Sequence, residues 1–426
     1  MRWIALDVHR DFCEVAIAEA GRARLAGRVK TDPEALALFA GSLAGDDEVT
    51  LEATGNALAI ARILEPYVAR VVLANPRAVR GSATSALKTD KVDARMLARL
   101  LAGGLLPGVW LPDERTRRLR RLVSRRAQLV RQRTRAKNQV HAALIRNLKA
   151  RQPMRDLFGV AGRRWLAQQD LPDDEEETVA SCLREIDFLA EEIERIERSI
   201  ALEVLATEEM RRLLSLPGIS GVAACVLMSA IGEIGRFPSP GQLVSYFGLN
   251  PTVRQSGSEK PRHGRISKQG PGEVRHVLVE AAWHAMRTPG PLRIFAERVA
   301  AKRGANVAVV AVARKLVVIA WHMLSKGEDY AFARPSLVRE KIRRLELLTG
   351  TGRKRGERGS VPIYASRKQR DLELELARQA ERAYQRLVRD WQPVMKKGAG
   401  AAPGRASCRP SSGQAARQET APAPAL

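Results

Sequence analysis

The chain runs to 426 residues and carries 72 Lys+Arg against 47 Asp+Glu, a formal charge of +25. Such an excess is the electrostatic footprint of a polyanion binder, with nucleic acid as the leading partner. Hydrophobic residues make up 45%, enough for two or three domains with real cores, whereas aromatics at 4% exclude base stacking as the main grip.

In chain order, three short strands are expected first, at residues 3–7, 13–19 and 23–29, separated by turns rich in His, Arg, Asp and Gly. They read as an antiparallel meander. A helix over 33–43, a strand over 49–53, a helix over 57–67, a strand over 69–74 and a helix from Asp90 to about Leu101 follow. That order is the one of the ribonuclease-H-like (RuvC-like) fold, an α/β layer sandwich, expected over residues 1–108.

Residues 109–205 are expected to form a helical coiled-coil insertion with two long antiparallel arms. The first, over 113–151, is very basic and repeats Leu122, Leu129, Ala136 and Ala143 every seventh residue. The second, over 178–201, sets Val179, Cys182, Ile186, Leu189, Ile193, Ile196 and Ile200 in a three-four alternation with acids on its flanks. Basic and acidic arms suit pairing with each other or with arms of other copies, and at least a homodimer is expected.

A second, mainly α unit is expected over 206–330. It opens with Leu216-Pro217-Gly218-Ile219-Ser220-Gly221, which resembles a helix-hairpin-helix element whose loop amides hold a phosphate. Its longest apolar stretch, 307–324, carries Arg314 and Lys315 at its middle, where a bilayer disfavours them; it reads as a buried core helix, and no membrane partner is expected. Residues 331–395 read as a charged helical extension with a basic loop at 350–359, and 396–426 as a disordered tail poor in core-forming residues. Cys13, Cys182, Cys225 and Cys408 form no CxxC pair, so neither a zinc ribbon nor a disulfide framework is implied. The first residues lack a basic-then-apolar leader, and a reducing cytoplasm is the expected setting.

Four acids stand out against the cationic background. Asp7 ends the first strand, Glu52 lies in the fourth, and Asp90 and Asp93 share one face at a helix start. In the expected fold they converge at one edge of the sheet, where such a cluster holds two Mg²⁺ or Mn²⁺ ions about 4 Å apart for phosphodiester chemistry. Each acid also has a plainer reading: Asp90 and Asp93 as helix-capping acids, Glu52 pointing to water, Asp7 as a turn former. His9-Arg10-Asp11 looks like a kinase catalytic loop, but Ala16 stands where an asparagine is needed and no glycine-rich loop precedes it, so a kinase is excluded.

Within the second unit, a loop over 248–257 bears Ser256 beside Gly257 and leads into Lys260, Arg262, His263, Arg265 and Lys268. Read from its residues alone, it is a basic loop that grips phosphate; a serine so placed also suits covalent attack on a phosphodiester. Lys88, Lys91 and Arg254 complete the candidate nucleic-acid contacts.

Four segments in this order, Ile4-Ala5-Leu6-Asp7-Val8, Leu51-Glu52-Ala53-Thr54-Gly55, Lys88-Thr89-Asp90-Lys91-Val92-Asp93-Ala94 and the block over 248–270, resemble the DEDD insertion-sequence transposases, the IS110 family, over about residues 1–324. The resemblance implies a RuvC-like domain whose metal-binding catalytic tetrad matches Asp7, Glu52, Asp90 and Asp93, and a C-terminal transposase domain whose nucleophilic serine matches Ser256. It further implies Mg²⁺ or Mn²⁺ as cofactor, DNA ends and target as substrates, and a structured non-coding RNA as guide. A homo-oligomer with a composite site across subunits, in a nucleoid-associated prokaryotic setting, is implied as well. The extension after about Ala333 matches no motif of the family. The competing expectations are a metal-dependent RuvC or ribonuclease-H-like nuclease or junction resolvase in which Ser256 is incidental, and a non-catalytic scaffold.

Overall fold

A computed structural model describes residues 1–76, 90–106, 108–257, 259–353 and 366–390. The expected Lys88 contact, the tail over 396–426, Cys408 and most of the loop over 350–359 lie outside them.

The N-terminal region is one mixed sheet flanked by helices. Its strands are β1 (Trp3–Val8), β2 (Phe12–Glu19), β3 (Arg22–Lys30), β4 (Glu48–Glu52), β5 (Arg70–Ala74) and β6 (Gly108–Val109), in spatial order β3-β2-β1-β4-β5-β6. β1, β2 and β3 pair antiparallel, β4 and β5 run parallel to β1, and β6 closes the edge antiparallel to β5. The two-residue β6 was not expected from the sequence, because so short a strand carries no alternation to read. Helices α1 (Pro33–Gly41), α2 (Ala57–Leu64) and α3 (Asp90–Ala102) cover the sheet. The helix expected over 57–67 stops at Leu64 and continues as a 3₁₀ turn, Glu65–Tyr67, where Pro66 has no N–H to offer the α-ladder.

Both faces of this sheet are covered, and alternation along β1 sorts its side chains between them. Ile4 and Leu6, with Val49 and Leu51 of β4, pack against Leu36, Ile60 and Leu64 of α1 and α2. Ala5, Ala16, Ala18 and Ala74 lie in the opposite core with Ala94, Leu97, Ala98 and Leu101 of α3. Alanine on both sides of that contact lets α3 sit close to the sheet. Its first turn therefore reaches the end of β1.

Helices α4 (Glu114–Arg146) and α6 (Asp173–Ala206) form an antiparallel pair, with the short α5 (Val160–Leu166) between them in sequence. Leu129 packs with Leu189 and Ile193 in the middle, and Val140 and Ala143 with Val179 and Cys182 at the far end. Ion pairs run Arg118–Glu203 at 2.9 Å, Arg126–Glu197 at 2.5 Å and Arg146–Glu175 at 2.8 Å, so numbers rise on one helix as they fall on the other. Exposed pairs of this kind contribute about 0–1 kcal/mol each, and the apolar seam carries the association. The basic and acidic arms thus satisfy one another inside one chain.

The C-terminal region is mainly helical: α7 (Glu208–Leu213), α8 (Gly221–Ile231), α9 (Pro240–Tyr246), α10 (Gly272–Arg287), α11 (Pro291–Arg303) and α12 (Ala305–Lys326), around one core that includes Phe247, Met210, Leu213 and Leu316. Gly218, at φ +76°, makes the hairpin before α8 possible, because a Cβ there would lie 2.6 Å from the Ala281 carbonyl oxygen. α12 is long and apolar enough to cross a membrane by length and composition. Here it packs in the core through Val312, Ala313, Leu316, Val317 and Ala320, with Arg314 and Lys315 exposed on its outer side.

Two differences from expectation appear here. The loop expected over 248–257 is largely a β-hairpin, β7 (Pro251–Arg254) with β8 (Arg262–Ile266), an element hidden by its arginines and glycines. The charged extension also folds back: α13 (Pro335–Thr349) sets Leu345 against Gly221, and α14 (Arg367–Asp390) caps α13 through Glu373, which accepts from the Ser336 N–H at 3.1 Å. Lys341 of α13 is half-buried and donates to the carbonyls of Leu214 and Leu216 at 2.6 and 2.9 Å, closing the end of α7; desolvation pushes its ammonium down to about 8.

Candidate functional site

Asp7 is the last-but-one residue of β1, and Glu52 the last of the adjacent parallel β4; the register pairs Leu6 with Leu51, so the two acids occupy the next matched positions. Both alternate with residues of the α1 and α2 core and therefore face α3. Asp90 and Asp93 open α3 on the same side.

The closest group is Asp7, His9 and Asp90, whose ligating atoms all lie within 4.8 Å of one another. His9 Nε2 stands 3.4 Å from Asp7 Oδ2 and 3.3 Å from Asp90 Oδ2. Glu52 and Asp93 are not in that close group, yet both are near enough for their charge to act on Asp7. Burial lifts the Asp7 carboxyl to about 6; the His9 charge pulls it down, and Asp90, Asp93 and Glu52 each push it up. An acid so placed gains from any cation that replaces the water it has lost.

The donor set of carboxylate oxygens and one imidazole nitrogen, at the carboxyl ends of parallel strands, fits a divalent cation. A second observation agrees: the His9 Nε2 atom is closed off from solvent and, among the described residues, makes no hydrogen bond. His9 was not among the residues singled out as a site from sequence, because His9-Arg10-Asp11 was read only against the kinase pattern. Its position two residues beyond Asp7, on the same side of the chain, was the available signal.

The serine hairpin is a different kind of place. Ser256 lies exposed in the turn between β7 and β8, where its carbonyl accepts from the Glu259 N–H at 3.2 Å. Arg254, Lys260, Arg262, Arg265 and Lys268 are all exposed; Arg262 reaches Glu259 at 3.5 Å. Lys91 is exposed as well, one residue from Asp90. The base of the hairpin is tightly built. Arg275 of α10 donates to the carbonyls of Phe247, Gln269 and Gly270 at 3.1, 2.9 and 3.1 Å, and Lys268, at φ 55°, donates its N–H to the Gly248 carbonyl at 3.1 Å. Sequence reasoning missed Arg275, whose role depends on where α10 lands. Among the described residues no hydrogen bond or ion pair joins the hairpin to the acidic cluster.

Comparison with known proteins agrees with both halves. Residues 4–147, which include all four acids, match the DEDD transposase model of the IS110 type, and residues 210–296, which include the hairpin, match the transposase IS116/IS110/IS902 family. A putative transposase, y4qE, of Sinorhizobium fredii is 29% identical over 290 residues, covering 66% of this chain and 71% of the relative. The transposase for insertion sequence element IS1328 of Yersinia enterocolitica is 27% identical over 297 residues, 66% of this chain and 85% of the relative. A probable family 20 transposase of Pseudomonas aeruginosa is 30% identical over 151 residues, covering 34% of this chain and 44% of its own length. With both models matched in order and relatives of this kind, the chain belongs to the IS110 family of transposases.

Proposed function

We propose that this transposase cuts and exchanges DNA strands using Asp7, Glu52, Asp90 and Asp93 as metal-binding catalytic residues and Ser256 as nucleophile, with a structured non-coding RNA choosing the sequences. The observation that carries the reading is the meeting of Asp7 and Asp90 within ligating distance, with Glu52 and Asp93 acting on the Asp7 charge. The strand order β3-β2-β1-β4-β5, with the acids at the carboxyl ends of β1 and β4, supports assigning the domain to the ribonuclease-H-like class.

A divalent cation, Mg²⁺ or Mn²⁺, bound by these carboxylates supplies screening of phosphate charge and acidifies a nearby hydroxyl. The Ser256 Oγ attacks a phosphorus: the Oγ–P bond forms, the P–O3′ bond breaks, the hydroxyl proton passes to solvent, and the departing 3′ oxygen gains a proton. A 3′-hydroxyl of the exchanging strand then reverses the step on a new partner, releasing the serine. Arg254, Lys260, Arg262, Arg265 and Lys268 hold the backbone, as do Lys91 and Lys88, which flank Asp90 in sequence, by salt-sensitive contacts. The exposed hairpin, which among the described residues has no hydrogen bond or ion pair to the acidic cluster, supports a composite site in which Ser256 faces the carboxylates of another copy, and hence a dimer or tetramer. The two arms share their apolar seam within one chain, and the expected oligomer through the coiled coil would form on the arms' outer faces.

The test uses full-length protein purified with its RNA, incubated with DNA carrying matched target sequences, and probed for a covalent protein–DNA adduct. Wild type gives the adduct and recombinant product; Ser256→Ala gives neither. If Ser256→Ala still cleaves DNA, the chain is instead a metal-dependent nuclease of the same fold. If no discrete RNA co-purifies, the guide is lost from the reading.

A further inference from the structure

We propose that His9 is a nitrogen ligand of the acidic centre and biases it toward Mn²⁺ over Mg²⁺, an inference that rests on the metal reading of Asp7 and Asp90 given above. His9 Nε2 lies within ion-pair distance of both carboxylates, 3.4 Å from Asp7 Oδ2 and 3.3 Å from Asp90 Oδ2, yet it is closed off from solvent and, among the described residues, aligned for a hydrogen bond with neither. In an N/O site with bonds of about 2.0–2.2 Å, ligands at right angles sit about 3 Å apart. The His9 nitrogen thus stands within a few tenths of an ångström of that spacing from each of the two carboxylate oxygens.

The ring is held for that role. It tilts against Phe12, centroids 4.9 Å apart, while the His9 N–H donates to the Phe12 carbonyl at 2.9 Å and Thr31 Oγ1 donates to the His9 carbonyl at 3.2 Å. A ligand fixed in this way loses little freedom when the ion arrives. Imidazole nitrogen is a weak partner for Mg²⁺, which prefers oxygen and retains water, and a better one for transition metals. His9 therefore separates cations that an all-carboxylate site treats more evenly.

The experiment loads the full-length chain, labelled with ¹⁵N-histidine, with Mn²⁺ alone and records pulsed electron paramagnetic resonance, alongside calorimetric titration of Mn²⁺ and Mg²⁺. Expected are a histidine-nitrogen coupling in wild type, its loss in His9→Ala with Mn²⁺ affinity reduced roughly tenfold or more and Mg²⁺ affinity reduced less, and a shift toward Mg²⁺ in His9→Asp. The wild-type spectrum stands whether or not the variants fold. Mn²⁺ that binds and is lost in Asp7→Asn, but shows no histidine coupling, overturns the role of His9 while the carboxylate site survives. Mn²⁺ that does not bind, or that binds equally well in Asp7→Asn, overturns both.

Discussion

The acidic cluster and the serine hairpin are built on opposite plans. The cluster draws on the end of β1, the end of β4 and the first turn of α3, residues up to 86 positions apart in the chain, and its central carboxyl is mostly withdrawn from water. The hairpin is local, with Ser256 and its cations close in sequence, exposed, and anchored at the base by Arg275 and by the Lys268 N–H on the Gly248 carbonyl. The half-buried cluster is shaped by packing of distant segments within the chain, whereas the tip of the basic hairpin stands exposed to a partner. Under the proposed function the two divide the labour: one region presents the metal-binding carboxylates and the other delivers a backbone and a nucleophile.

The sharpest way to break that comparison is to remove each centre in turn. Asp7→Asn and Ser256→Ala should both lower recombination by roughly 10³-fold or more, but only Asp7→Asn should abolish Mn²⁺ binding in calorimetry. Equal loss of metal in both would mean that the regions are not separable. Next, Arg254→Ala, Arg262→Ala and Arg265→Ala should each weaken nucleic-acid binding across sequences and reduce the slope of log affinity against log salt by about one. An unchanged slope would remove those side chains from the phosphate grip.

The scaffolds supply smaller effects. Lys341 has a folded value of about 8 against its ordinary 10.5, so between those pH values the unfolded chain holds a proton that the folded chain has lost, and stability rises with pH across that window. The full difference corresponds to about 3 kcal/mol, reduced by the two carbonyls that favour the charged form. In Lys341→Met the rise should vanish from denaturant titrations at pH 8 and 10. Smallest is a gain: Asp7→Asn removes a carboxylate whose burial opposes folding, worth about 1–2 kcal/mol after solvent screening. The metal-free variant should melt roughly 2–4 °C higher. A lower melting temperature would mean that His9 already compensates the Asp7 charge.

Much of the N-terminal region was legible because alternation in β1, β2 and β4 is strong and the acids fall at strand ends or a helix start. His9 was not, since its meaning depends on Asp90, 81 positions later, arriving beside it. The β7–β8 hairpin was read as a loop because Arg262, His263, Gly264 and Arg265 offer no apolar face. The extension after Ala333 had no motif, yet α13 closes over the turn before α8 through Lys341 and Leu345, and α14 packs on α13 through Glu373, contacts that no local pattern announces.

By itself, then, the order of residues determined the polyanion-binding charge, the alternating strands, the heptad arms and the positions of the four acids, because each is a local property of composition or period. Only the tertiary structure decided that α3 lies close enough on alanine for Asp90 to meet Asp7 and His9, and that the two arms cover each other within one chain. The reason is geometric: contact between distant segments is set by how their faces pack, and packing depends on every neighbour at once.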